Sequence, residues 1–251
     1  MKIKLKSVIV ISALCVSSFV FAESYNFDLG ANVGRFDVDD TNVKQSSYGF
    51  EGAYYFNEVL TENVPLAEAA YLGKNSNVNA SIGHFSQDSV SGDNYNAGVE
   101  FFIPESFLYV AGGISRATYD LKRSNAKWTD NDWYANIGIT PIDGLLVATS
   151  YAHDQGYDAN IYAKYVTDIG GDQYVNIEAR YEDGDFGDAK HLIGDYYFDS
   201  SFSVGAGVFR EGSNAYLLRA RKFFGEPFSV DLTYIGGESS KYLSLGADFR
   251  F

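Results

Sequence analysis

Residues 241–251 read Lys-Tyr-Leu-Ser-Leu-Gly-Ala-Asp-Phe-Arg-Phe. In an extended chain, Leu243, Leu245, Ala247, Phe249 and Phe251 fall on one face, and Ser244, Gly246, Asp248 and Arg250 on the other. A soluble sheet also alternates, but its apolar face needs a core, which shows elsewhere as continuous apolar runs or amphipathic helices. Here the two-residue period repeats along the chain in place of either. The pattern predicts a barrel whose apolar side meets lipid and whose polar side lines a lumen.

Working outward from that strand, about fourteen alternating segments are readable: residues 25–35, 48–56, 77–85, 95–103, 107–118, 133–140, 145–153, 159–166, 174–181, 191–198, 202–210, 215–223, 228–235 and 242–251. The expected fold is all-β, a transmembrane antiparallel up-and-down β-barrel of about 14 strands. A merged or split segment would make it 12 or 16.

Residues 1–22 have another character. Lys2, Lys4 and Lys6 precede an apolar stretch over residues 8–21, and Val20-Phe21-Ala22 ends on a small residue, the pattern of a secretory signal peptide. Residues 23–251 then form a single barrel domain. The one cysteine, Cys15, lies inside the leader, and Leu14 before it does not suit lipoprotein cleavage, so the mature chain has no thiol chemistry. Removing the leader leaves 251 − 22 = 229 residues with charge 16 − 33 = −17, which excludes nucleic acid as a partner. Beyond the leader no apolar run approaches the roughly 20 residues of a membrane helix, and alternating strands escape any windowed hydropathy scan.

The connections test the reading. With both termini on one side, every second connection belongs to that side. Pro65, Pro104, Pro141 and Pro227 all fall in this set, where a residue lacking a ladder donor does least harm. The opposite set holds acidic, Gly-rich stretches at 37–45, 87–93, 119–131, 154–157, 182–188, 211–213 and 236–240. Connection 57–75 is longer, and its Pro65-Leu66-Ala67-Glu68-Ala69-Ala70-Tyr71-Leu72 predicts a short helix opened by proline. No loop of the opposite set is long enough to fold deep into the lumen, so a mostly open pore is expected.

Inward parity places Asp28, Glu51, Glu100, Glu178, Asp195, Asp231 and Asp248 on the pore wall, with Lys164, Arg180, Arg219, Arg221 and Arg250. Opposed charges set up a transverse field across a water-filled pore, or they pair along the wall and stiffen it. Their net acidity favours cations or neutral solutes. Tyr25, Phe56, Trp133, Phe198, Phe202, Phe228, Tyr242 and Phe251 lie near strand ends, where interfacial aromatic girdles form.

On these features the mature chain resembles the porin-like proteins of Gram-negative outer membranes, in particular small porins with a periplasmic segment like the one at Pro65. The resemblance implies passive diffusion of small hydrophilic solutes, no cofactor, and a setting of outer-membrane lipid and lipopolysaccharide. An aromatic last residue such as Phe251 looks like the signal that outer-membrane proteins present to their barrel-insertion machinery. Trimeric porins resemble longer chains with a long constriction loop, so a monomeric fourteen-strand channel is the closer analogue.

Two readings compete. Inward Tyr55, Phe102, Tyr109, Tyr134, Tyr162 and Tyr197 could narrow the lumen of a structural or surface-recognition barrel. An outer-membrane hydrolase would use a rim histidine, and His153-Asp154 is the candidate pair among His84, His153 and His191. No nucleophile accompanies it, and no His/Cys cluster has metal-ligand spacing.

Overall fold

The computed structural model describes residues 24–38, 43–122, 124, 126–153, 160–183 and 188–251. The leader 1–22 with Cys15, stretch 154–157 with Asp154, and residues 184–187 of the 182–188 loop lie outside the described residues.

Fourteen strands make one closed antiparallel barrel in which each strand pairs with its neighbours in sequence and β1 pairs with β14. They are β1 (Ser24–Val38), β2 (Lys44–Leu60), β3 (Asn77–Gln87), β4 (Val90–Phe102), β5 (Leu108–Leu121), β6 (Ala126–Ile139) and β7 (Leu145–Ala152), then β8 (Asn160–Gly170), β9 (Gln173–Glu182), β10 (Ala189–Asp199), β11 (Phe202–Glu211), β12 (Ser213–Phe223), β13 (Phe228–Gly237) and β14 (Ser240–Arg250). We call the end where β1 starts and β14 stops the near end, and the other the far end.

The two-residue period explains the closure. Leu29, Val33, Ile82, Ile114, Ile137, Leu218 and Leu245 project outward and are about half exposed, which is stable only where hydrocarbon covers them. Closure leaves no unpaired strand edge to satisfy in lipid. Pro65, Pro104, Pro141 and Pro227 all fall between strands at the near end.

Several strands outrun the sequence-based bounds. β2 has 17 residues and β1 has 15, where lipid needs about 9–11. Stretch 119–131, expected to be a loop, is mostly ladder: β5 and β6 stay in register to Leu121 opposite Ala126. Tyr119 and Trp128 are partners there and stack at 4.8 Å, which holds the hairpin extended beyond the membrane.

Three register irregularities, between Tyr25 and Phe27, Asp168 and Gly170, and Tyr197 and Asp199, all sit at the near end. The first overturns one expectation. The bulge turns the Tyr25 side chain from the lipid face to the interior, where it is 6% exposed and packs against Val59 and Ala69. Tyr25 is therefore not a girdle residue. Neither is Tyr242, which shares the inward face of β14 with Ser244 and Gly246 and lies over Gly34 of β1 beside Ser47.

Outward rings do line the near end as a continuous row. Phe251 stacks on Phe27, Phe27 meets Tyr54, Tyr54 meets Phe56 and Phe56 stacks on Phe101. Phe198 stacks on Phe202, and Phe228 meets Phe224. At the far end, Trp133 packs against Tyr151 and His153.

Candidate functional site: a lumen crossed by an inserted turn

The lumen is not the open tube expected from the sequence. The connection between β2 and β3 carries a 3-10 turn (Leu66–Glu68) and one α-helical turn, α1 (Ala69–Leu72). Pro65 precedes the first of these and is fully buried. Leu66, Ala69, Ala70, Tyr71 and Leu72 make this connection too apolar for water, and the nearest shelter is the inside of the barrel.

The turn leaves β2, crosses the near end and touches wall after wall. Thr61 Oγ1 lies 3.2 Å from Glu226 Oε2 in the β12–β13 turn, and Tyr174 of β9 donates to the Asn63 carbonyl at 2.7 Å. The Leu66 amide donates to the Ser200 carbonyl at 2.8 Å, between β10 and β11. Arg250 of β14 donates to the Leu66 carbonyl at 2.7 Å and to Asp28 at 2.9 Å, with its guanidinium over the rings of Tyr25 and Phe223.

Glu68 is the hub. It is 5% exposed, accepts from the Tyr197 hydroxyl at 2.6 Å and pairs with Lys164 Nζ at 2.7 Å. Lys164 is 3.8 Å from Glu178, with its ammonium 4.7 Å from the centre of the Tyr71 ring. The Tyr71 hydroxyl lies 2.9 Å from the Gly144 carbonyl oxygen and 3.0 Å from that of Lys164. Burial pushes that hydroxyl above the ordinary tyrosine range, so it stays a donor. Gly144 has φ of +73°, and a Cβ there would fall 2.0 Å from the Val166 carbonyl oxygen, so this docking point admits glycine alone. Asn75 closes the return by donating to the carbonyls of Asn57 and Glu58.

The charges on the wall pair along it. Arg219 grips Asp195 with two nitrogens at 2.6 and 2.5 Å and reaches Glu178 at 3.5 Å. Asn176, fully buried, donates to both Glu178 and Asp195. Arg221 stands 3.9 Å from Asp231, and Ser229 donates to Asp248. Glu51 and Asp248 converge over Gly30 between them on β1. Glu100 accepts from Asn77 at 3.3 Å, and Arg180 lies 3.4 Å from Glu182 with its guanidinium over Tyr162. The pairing that the sequence allowed is therefore present along the wall, and it is compatible with a transverse field across the lumen.

The histidines are scattered. His84 meets Asp93 at 2.8 Å beside Tyr48, His153 lies beside Trp133, and His191 packs on Phe209. Asp154, the other half of the pair read from sequence, lies outside the described residues.

The short helix expected after Pro65 is present, but sequence reasoning missed its place inside the lumen and the roles of Glu68 and Tyr71. A signal was present: an apolar stretch in a connection, together with inward aromatic residues in a lumen otherwise lined by polar groups.

A closed fourteen-strand barrel with a lipid-facing exterior and a charged, partly filled lumen defines a membrane β-barrel of the channel class. The chain belongs to the family described as "Putative general bacterial porin", which it matches over residues 1–140 and 131–251. The Acinetobacter baumannii outer membrane protein Omp33 is similar in fold, with TM-score 0.72 and 22% identity over 91% of this chain and 99% of that one. The Ralstonia pickettii toluene transporter TbuX is similar at TM-score 0.60 and 7% identity, over 92% of this chain and 90% of that one. No curated protein matches the chain.

Proposed function

We propose that the protein is an outer-membrane porin through which small hydrophilic solutes diffuse passively, and that the inserted turn determines when the path is open. The observation that carries this is the turn itself: it stands across the near end of a polar lumen and is held by contacts to individual side chains. Membership of the porin family supports the channel class. Of the thirteen charged groups formed by the wall positions and Glu68, eight are acids and five are bases, which leans the pore toward cations and neutral solutes.

The rest of the setting belongs to the same proposal. The leader exports the chain, the near end faces the periplasm, lipopolysaccharide surrounds the far half, and the insertion machinery reads Phe251. The barrel works as a monomer without a cofactor.

Planar-bilayer recording of the purified full chain tests the reading. Discrete steps with a cation-leaning reversal potential are expected, infrequent in the wild type and more frequent in Glu68→Ala. Silence of both proteins would sink the proposal and leave a structural or surface-recognition barrel.

A further inference from the structure

Between β3 and β8 the lumen wall carries aromatic rings among small and amide side chains, with Glu100 and Lys164 beside them. Phe85, Tyr119 and Trp128 line the far mouth, with Tyr119 and Trp128 stacked at 4.8 Å. Nearer the inserted turn, Phe102 and Tyr109 meet at 5.0 Å, and Phe102, Tyr162 and Tyr71 pack against the buried cluster of Tyr109, Leu146 and Ala148.

Tyr134 lies between these groups and is held flat. Its register partner is Gly113 of β5, whose partner in turn is Gly98 of β4. A Cβ on Gly113 would fall 2.6 Å from Tyr134 Cε1, and one on Gly98 would fall 2.9 Å from its hydroxyl. The two glycines form a shelf on which the ring rests, leaving its other face toward the lumen, with the residue 36% exposed. In front of it lies a cavity of about 460 Å³, edged by Asn136, Ser150, Asn160, Arg180 and Glu182 and by Glu100 deeper in.

We propose that this cavity binds a neutral cyclic polyol, a sugar ring of monosaccharide size, which names a solute class for the porin reading and rests on it. A sugar ring has an apolar C–H face and an edge of hydroxyls that both donate and accept. Tyr134 offers the flat face. Arg180 and the amide nitrogens of Asn136 and Asn160 donate to the edge, and the carboxylates of Glu100 and Glu182 accept from it. A wholly apolar solute would strip water from these polar groups and return no hydrogen bond. An anion would face two carboxylates against one guanidinium. An open-chain polyol has no rigid face to stack and loses more torsional freedom on binding. The volume falls in the range of small-molecule sites, about 300–1,000 Å³.

Saturation-transfer NMR on the full chain in detergent micelles tests this with glucose, its open-chain counterpart sorbitol, lysine and benzoate as probes. Saturable glucose binding, several-fold tighter than sorbitol, is expected. Tyr134→Leu should weaken it about fivefold, the size of one aromatic contact. Gly98→Ala, whose Cβ would press on the Tyr134 hydroxyl and Asn79 Oδ1 while staying 3.4 Å from the nearest backbone atom, should weaken it comparably. Equal signals from glucose and sorbitol, absence of saturation, or preferential binding of lysine or benzoate would each overturn the proposal. The wild-type comparison stands even if a variant fails to fold. Bilayer recordings separate the two readings: conductance steps without sugar binding reject the site alone, whereas absence of steps rejects the porin reading.

Discussion

Glu68 on the inserted turn and Lys164 on β8 meet at 2.7 Å, so a residue from a strand connection is ion-paired to the inner wall of the barrel. Both are largely buried, and Tyr197 completes the arrangement by donating to the other carboxylate oxygen. A buried pair adds little beyond an apolar replacement, but removing one partner strands the other at a cost of about 3–5 kcal/mol. Glu68→Ala removes both interactions at once. Glu68→Gln keeps an acceptor for Tyr197 and loses the charge. Open-channel frequency in bilayers should therefore rank Ala above Gln above wild type, while the barrel keeps its heat-modifiable mobility on gels. Equal frequencies in all three would mean that the turn is held by its other contacts, those of Leu66, Asn63 and Tyr71 among them.

The ends of the turn point to a second measurement. Asn63 and Lys74 have φ of 58° and 51°, the left-handed region, which costs a residue with a Cβ roughly 1–2 kcal/mol, asparagine less than lysine. Lys74→Gly removes that strain and gives up only an exposed contact to Asp143 at 3.7 Å. The docked turn should gain about 1 kcal/mol, offset in part by the added freedom of glycine when the turn is released. Lys74→Gly should lower open-channel frequency, and Asn63→Gly should lower it less. An increase in both would show that the left-handed conformations do not strain the docked turn.

The fold was legible because a period of two survives every local accident: Leu243, Leu245 and Phe249 mark a lipid face whatever the turns around them do. What escaped the reading has identifiable causes. The bulge between Tyr25 and Phe27 reverses parity for a single side chain, and no neighbouring residue announces it. Tyr242 is aromatic and near a strand end, but its even position beside Ser244 and Gly246 places it inside, so parity outranks residue type there. The stretch after Pro65 gave away its helical turn but not its location. Location depends on what the rest of the barrel offers at that height, namely Lys164, Tyr197 and Arg250 on three separate strands.

Arg219 and Arg221 share the inner face of β12 but are not equivalent probes of selectivity. Arg219 is clamped to Asp195, whose side chain is only 4% exposed, so its removal would leave a buried carboxylate and damage the wall. Arg221 stands 3.9 Å from a more accessible Asp231. Arg221→Glu should shift the reversal potential toward stronger cation preference without loss of folded yield, whereas Arg219→Glu should reduce folded yield first. An unmoved reversal potential in Arg221→Glu would place the selective section elsewhere in the lumen.

The seam between β1 and β14 gives the last test. Phe251 stacks on Phe27 at 5.2 Å with planes 9° apart, and the backbone ties the same residues: the Phe251 amide donates to the Phe27 carbonyl at 3.0 Å, and the Phe27 amide donates to the Phe251 carbonyl at 2.8 Å. Phe251→Ala removes the ring and keeps the backbone bonds. Because the outer face is covered by lipid or detergent in either case, the loss should be that of the ring contacts with Phe27 and Phe249, about 0.5–1.5 kcal/mol for each. Phe27→Ala should cost a similar amount, from its contacts with Phe251 and Tyr54. Since the two substitutions delete one shared contact, the double variant should cost less than the sum of the singles, which denaturant titration of the barrel in micelles can resolve. Strict additivity would mean that the rings are placed side by side by the seam and do not help to close it.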